Sequence, residues 1–284
     1  MQGILYLVSL PIGHLGDITK RALETLENVD AIVAEDTRTT RRLLSHFGIQ
    51  TPFFSSLYQG VETQRTERIL AELSDGKTLA LVSDAGTPLI SDPGYPLVRA
   101  AVHAGVCIVP IPGPTAAISA LVASGLPADR FLFEGSVPRK REGRAALFDR
   151  LDQEVRTVIL YESSHRIERT LEEMAEHVPN RPMVVARELT KIHEEFVRGT
   201  AGEILASLRA REAFRGEFVL VVAGSERDSA ATDEAPIQEM IERLLDEEVS
   251  GRGIVEILRL AFEMPRNDAY ARVQDAKKVR GSKT

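Results

Sequence analysis

Through the first half of the chain, short apolar runs alternate with longer amphipathic stretches, and nearly every run ends in a loop of small residues. Residues 4–10 (ILYLVSL), 31–34, 78–82 and 106–111 read as strands, with residues 51–57 as a further strand. Runs this short and this continuously apolar fit strands buried on both faces. Between them helices are expected from Asp17, taken as N-cap, to Glu27, then over residues 39–47, 62–73, 95–103 and 115–123. This βαβα rhythm implies a parallel sheet covered by helices. A TIM barrel shares the rhythm, but the pattern changes after Gly125. From there strands at 131–133, 157–161, 183–187 and 218–223 are more widely spaced, with helices expected at 143–151 and 166–177.

The fold class expected is therefore α/β: an N-terminal α/β domain with a parallel sheet over residues 1–115, and a second α/β domain over 116–225. Residues 226–236 are polar, small and charged, which is linker composition. Beyond them, 237–248, 252–262 and 268–277 read as short helices of a C-terminal extension reaching residue 284.

The loops carry more than the strands. Pro11–Asp17, Glu35–Arg38, Ser83–Gly94 and Pro112–Thr115 each follow a strand and precede a helix, so a parallel sheet gathers them at its carboxyl end. Open α/β sheets bind ligands there. Gly13 and Gly16 let a ligand approach the backbone, or simply turn the chain. Apart from Arg38 these loops lack cations, which disfavours a polyphosphate. Gly76-Lys77-Thr78 is no phosphate loop, because Ala71 stands where the required glycine would be and a strand follows instead of preceding it. A zwitterionic or cationic small ligand suits Asp84, Asp92 and backbone amides better. In Ser83–Gly94 (SDAGTPLISDPG) the first S-D-x-G reads as the ligand-facing half, and the second as the cap of helix 95–103. Glu35, Asp36 and Arg38 form a charged cluster at a strand end: a helix cap with a surface pair, or a proton-accepting and substrate-orienting group.

Composition sets limits. A net charge of −7 argues against a surface that grips nucleic acid everywhere, but local basic patches exist. Arg139, Lys140, Arg141 and Arg144 form one, and residues 266–284 hold six basic side chains against two acidic ones. No apolar run is long enough to span a membrane and no basic leader precedes an apolar segment, so a cytoplasmic protein is expected. Cys107, in an apolar run, reads as a buried, unreactive thiol. The histidines show no metal-ligand spacing, and no metal is expected.

With these residues assembled, the chain resembles the tetrapyrrole methylase superfamily, the class III S-adenosyl-L-methionine-dependent methyltransferases. The motifs are LPIGHLGDIT (10–19), AEDTR (34–38), SDAGTPLISDPG (83–94), PGPTAA (112–117), GLPADRF (125–131), YESSHR (161–166), ARELTK (186–191) and GEFVLVV (216–222). Within the superfamily they are similar to the branch that methylates the 2′-oxygen of a cytidine ribose in the decoding region of 16S rRNA. The resemblance implies a cofactor cleft between two α/β domains and a homodimer. It implies that Asp84, Ala85, Gly86, Leu89 and Ile90 hold the methionine part of S-adenosyl-L-methionine, helped by Gly13 and by Pro112, Gly113, Pro114, Thr115 and Ala116. Tyr161, Leu189, Phe218 and Val219 would cradle the adenine. Asp36 or Glu35 would accept the ribose proton, with Arg38 orienting ribose or phosphate. Arg139, Lys140, Arg141 and Arg144 would contact 16S rRNA or the small ribosomal subunit. The alternatives are a methylase acting on a small molecule such as a tetrapyrrole, and a non-catalytic rRNA-binding assembly factor.

Overall fold

Strands β1 (Ile4–Val8), β2 (Ala31–Ala34), β3 (Phe53–Ser56), β4 (Thr78–Val82) and β5 (Cys107–Ile111) lie side by side in the order β3-β2-β4-β1-β5, every pairing parallel. The computed structural model describes residues 3–58, 60, 62–211, 214–225, 229–247, 249–262 and 264–281. Helices α1 (Lys20–Asn28) and α2 (Thr37–His46) cover one face of this sheet through Ala22, Leu26 and Leu44. Helices α3 (Glu62–Ser74) and α4 (Tyr95–His103) cover the other through Ile69, Leu73, Leu97 and Ala101. Both faces are therefore dry, which is why the central strands carry apolar residues without alternation.

The second lobe contains α5 (Ala116–Ser124), β6 (Phe131–Ser136), α6 (Arg141–Gln153), β7 (Thr157–Ser163), α7 (Ile167–His177), β8 (Met183–Arg187), β9 (Glu195–Gly199), α8 (Ala201–Ala210) and β10 (Glu217–Val222). Its sheet runs β6-β7-β10-β8-β9, with β6 parallel to β7 and the remaining pairings antiparallel. Helices α6, α7 and α8 bury Phe148, Leu171 and Ile204 on one face, and α5 covers the other with Ala120 and Leu121. Neither β9 nor α8 is among the elements expected from the sequence. β9 (EFVRG) is only half-buried at a sheet edge, so its apolar pattern is weak. α8 does announce itself: Thr200 and Glu203 form a reciprocal capping box, a signature visible as T-x-x-E.

Residues up to Ser225 form one compact unit, and those from Glu226 a second. The second unit holds α9 (Ser229–Asp246), α10 (Gly251–Phe262) and α11 (Arg266–Gly281), packed around Ile241, Ile254, Leu258 and Val273. Helix α9 starts well before residue 237, so part of the expected linker is helical; residues 226–228 lie outside the described residues. Among the described residues no helix is long and apolar enough to cross a membrane.

Some local expectations are corrected. Thr19, not Asp17, caps α1, its hydroxyl accepting from the Ala22 amide at 3.1 Å, because Leu15–Asp17 is spent in a 3-10 turn. Helix α4 is entered through Gly94, whose N–H donates to the Glu62 carboxylate at 2.7 Å, and Asp92 plays no capping part. Cys107 is exposed, because it opens the edge strand β5 with its side chain turned outward.

Candidate functional site

At the carboxyl end of the first sheet the loops are stitched to one another. Leu10 and Gly86 exchange backbone hydrogen bonds at 2.8 and 3.0 Å, which ties the loop after β1 to the loop after β4. Gly86 sits at φ +71°, a conformation glycine adopts without a Cβ penalty. The Thr87 hydroxyl donates to the Pro114 carbonyl at 3.1 Å and lies 3.0 Å from the Ser9 hydroxyl. One threonine thus links the loops after β1, β4 and β5.

The second lobe closes the site. The Ala117 amide at the start of α5 donates to the Tyr161 hydroxyl at 3.0 Å. The His14 amide donates to Thr190 Oγ1 at 3.0 Å, and Gly13 lies so close that a Cβ there would sit 2.6 Å from that oxygen and 3.0 Å from the Leu189 carbonyl. His14 Nδ1 itself accepts from the Gly16 amide at 3.1 Å, so its ring closes the turn. Two turns here hold non-glycine residues in the left-handed region: Leu89 (φ +73°) with Ser91 (φ +69°), and Glu188 (φ +51°) with Thr190 (φ +65°). Such strain persists only where surrounding contacts over-determine it, and it clusters at binding sites.

Between the lobes opens a cleft of about 320 Å³. Of the residues expected to hold a cofactor, Ala85, Gly86, Ile90, Thr115, Ala116, Tyr161, Phe218 and Val219 line it. Gly13, Asp84, Leu89, Pro112, Gly113, Pro114 and Leu189 are not on its surface. They stand behind it: Gly13 against the second lobe, Pro114 as acceptor for Thr87, Leu189 in the apolar cluster with Ile12, and Gly113 against Ser9. Asp84 faces elsewhere, accepting from the Asp36 amide at 3.1 Å, while the Asp84 amide donates to Glu35 at 3.2 Å. Ile12, Thr87, Ser91, Asp92, Ser136, Glu162 and Glu217 also line the cleft, beyond the expected set. Most lie inside the motifs quoted above. Ser136, beyond a β-bulge in β6, has no sequence signal.

The lining carboxylates are not equivalent. Glu162 is fully buried and saturated by the Ser163 amide, the Thr170 hydroxyl and the Arg166 guanidinium, all within 2.6–2.7 Å. Glu217 is largely exposed and pairs with Lys191 at 3.0 Å. Asp92 is half-buried in the cleft; burial, reinforced by the Glu35 charge, pushes its carboxyl up to about 6. Burial also raises Glu35 and Asp84 above their ordinary values. Asp36 goes the other way: the Arg38 side chain grips both its oxygens, at 2.7–3.2 Å, and holds it at about 2.

The donor set fits a zwitterionic nucleoside such as the expected cofactor. The α5 N-terminus opens on the cleft at Thr115 and Ala116, with no side-chain cap bond from Thr115, and helix N-termini favour a carboxylate. Asp92 can accept from a cation, and Ile12, Ile90, Phe218 and Val219 give apolar walls for a heterocycle. Arg139, Lys140 and Arg141 stand exposed at the start of α6. Arg144 does not join them. Its side chain is 5% exposed and forks onto both Glu173 oxygens at 2.7 Å, tying α6 to α7, so it is withdrawn from any RNA-facing role.

Comparison with known proteins covers most of the chain. The family model for tetrapyrrole (corrin/porphyrin) methylases matches residues 4–205. A ribosomal RNA small subunit methyltransferase I from Escherichia coli O157:H7 is 52% identical over 225 residues, 78% of each chain. Its counterpart in Synechocystis sp. is 45% identical over 271 residues, 95% of this chain and 96% of that one. Among solved structures, a uroporphyrin-III C-methyltransferase from Thermus thermophilus, complexed with S-adenyl homocysteine, shares the fold with a TM-score of 0.53 at 17% identity, covering 78% of this chain and 97% of that chain.

Proposed function

The chain belongs to the tetrapyrrole (corrin/porphyrin) methylase family, and we propose that within it this protein transfers a methyl group from S-adenosyl-L-methionine to the 2′-oxygen of a cytidine ribose in the decoding region of 16S rRNA. The observation that carries the reading is the reach of the likeness. The rRNA methyltransferase relatives are 52% identical over 78% of the chain and 45% identical over 95% of it, whereas the uroporphyrin methyltransferase covers 78% at only 17% identity. The exposed Arg139–Arg141 cluster supports the same substrate, because an acidic protein needs a local cationic surface to hold a polyanion.

When bound, the cofactor supplies an activated methyl group on a sulfonium. What this chain's residues must do is align a ribose hydroxyl with it and accept the hydroxyl proton. Asp36 is clamped by Arg38 and is too weak a base near neutrality. Asp92 faces the cleft, and with its carboxyl near 6 it is ionised at pH 7 yet basic enough to take a proton. The acceptor role falls to Asp92, with burial and then the Glu35 charge holding it in that range, and Arg38 contacting ribose or phosphate at the rim. The family resemblance further supports a homodimer acting on the small subunit in the cytoplasm, and sedimentation at micromolar concentration tests the dimer.

The deciding experiment supplies labelled S-adenosyl-L-methionine with purified small subunits and with naked 16S rRNA, then identifies the modified nucleoside. A 2′-O-methylcytidine is expected. Label on a base, or label on a tetrapyrrole with none on RNA, refutes the assignment.

A further inference from the structure

The edge strand β3 carries a second cationic surface, on the opposite lobe from Arg139–Arg141. Helix α2 bears Arg38, Arg41 and Arg42 and no acidic residue along its length. Arg41 lies over the Phe53 ring, its guanidinium 5.1 Å from the centroid. On the other face of the sheet, Arg65 and Arg68 of α3 enclose a notch of about 240 Å³ with Phe54 and Ser55. Elsewhere in this lobe pair most arginines are spent on carboxylates, as in Arg144–Glu173, Arg156–Glu154 and Arg187–Glu195. Among the described residues Arg41, Arg42 and Arg68 have no acidic partner. Cations left unpaired in a protein of net charge −7 point to an anionic partner.

Beside them stands an exposed aromatic ring. Tyr58, 47% exposed, follows directly on Leu57, whose amide donates to the Ala34 carbonyl at 2.7 Å, next to Glu35. A few residues on, Glu62 accepts from the Gly94 amide, at the end of the loop that carries Asp92. Leu57, and with it Tyr58, therefore stands at the carboxyl edge of the first sheet, the edge on which the cleft opens. One face of the Tyr58 ring is covered by Arg65, 5.4 Å from the centroid. Arg65 is itself fixed by the Ser56 carbonyl and by the Ser55 hydroxyl at 3.3 Å. A ring propped from behind, next to a cationic notch, has the features of a single-stranded nucleic-acid contact: a stacking platform for a base and cations along the backbone.

Taking the rRNA reading as its basis, we infer that the β3 edge grips single-stranded RNA flanking the target nucleotide, with a phosphate held at the Arg65–Arg68 notch and an unpaired base stacked on Tyr58. Arg41 and Arg42 continue the track along α2. The partner is RNA and not a ribosomal protein, because the described residues of this surface pair a π-face with point charges, the chemistry that meets a base and a phosphate.

The test measures binding of a short single-stranded oligoribonucleotide and of purified small subunits across a salt series, with S-adenosyl-L-methionine binding by calorimetry as the control for an intact cleft. Tyr58→Ala should weaken oligonucleotide binding about five-fold or more, and Tyr58→Phe should keep wild-type affinity, since the ring is what stacks. Arg68→Ala should flatten the salt slope by about 0.7, the single-strand value for one phosphate contact, and Arg68→Lys should restore it. Wild-type affinity and slope in Tyr58→Ala and Arg68→Ala would overturn the inference. So would variants that lose affinity for subunits but not for the oligonucleotide, which would assign the surface to a ribosomal protein. A wild-type enzyme that neither binds nor methylates subunits or rRNA would instead remove the functional reading beneath it.

Discussion

Replacing Asp92 by asparagine should make the protein more stable and nearly inactive. The carboxyl stands at about 6 in the folded chain against an ordinary 3.8, so folding disfavours its ionised form. A shift of about two pK units is worth ~3 kcal/mol if the group were wholly shielded from water. Asp92 is only partly buried, and solvent screening brings the effect to ~1 kcal/mol. The sign follows from proton linkage: with the folded value raised, the penalty is absent below about pH 3.8, grows as pH rises, and is complete above about pH 6. The asparagine side chain carries no charge at any of these pH values. Asp92→Asn should therefore melt ~2–3 °C above wild type at pH 7 and level with it near pH 4, in a calorimetric or fluorescence scan. In methyl transfer to small subunits, wild-type kcat should rise with pH through about 6, while the variant should lose ~100-fold or more at pH 7 together with that acidic limb. Asp36→Ala, by contrast, should cost less than ~10-fold. A variant that keeps activity and the acidic limb, or one that melts below wild type at pH 7, would refute the assignment of Asp92.

Arg144→Ala should cost ~3 kcal/mol in urea unfolding, because Glu173 would be left without its buried partner, and the Arg144→Ala/Glu173→Ala double variant should cost less than the sum of the single ones. Glu173 is held at about 2 against an ordinary 4.5, so its stabilisation is present above 4.5 and lost as pH falls toward 2; acid unfolding curves of Arg144→Ala should be flatter across that window. Gly13→Ala places a methyl against Thr190 and the Leu189 carbonyl, and should weaken cofactor binding at least ~10-fold in calorimetry; unchanged affinity would show that the turn gives way freely. Neutralising Arg139, Lys140 and Arg141 together should flatten the salt dependence of subunit binding by up to about 2 in the log–log slope.

Much of the first lobe was legible because its central strands are covered on both faces: a short apolar run there admits few other interpretations, and position at the sheet's carboxyl end follows from chain order alone. The second lobe was harder. β9 has a polar edge to manage, and a strand such as EFVRG, half-buried along its length, leaves no clean period. In the site, backbone-defined residues such as Gly86 and Ala116 could be read from turn chemistry. Side-chain direction could not. The two S-D-x-G halves of Ser83–Gly94 look alike in sequence, yet Asp84 reaches out to the Asp36 amide while Asp92 turns into the cleft, a reversal that depends on Leu89 and Ser91 at positive φ. Nor does Arg144 differ on paper from Arg139 or Arg141. Only the pitch of α6, which aims it at Glu173, separates a buried strut from a surface cation.

The four residues held at positive φ have a consequence for anyone who sets out to harden this protein. A left-handed conformation costs a non-glycine residue ~1 kcal/mol or more, so Leu89, Ser91, Glu188 and Thr190 are places where glycine would relieve strain at once. A stability screen blind to catalysis will be drawn to them. Its gains there would come from slackening the very loops that hold the cleft in shape before any ligand arrives, so a heat-resistant variant chosen this way should show a longer shelf life and a poorer grip on its cofactor.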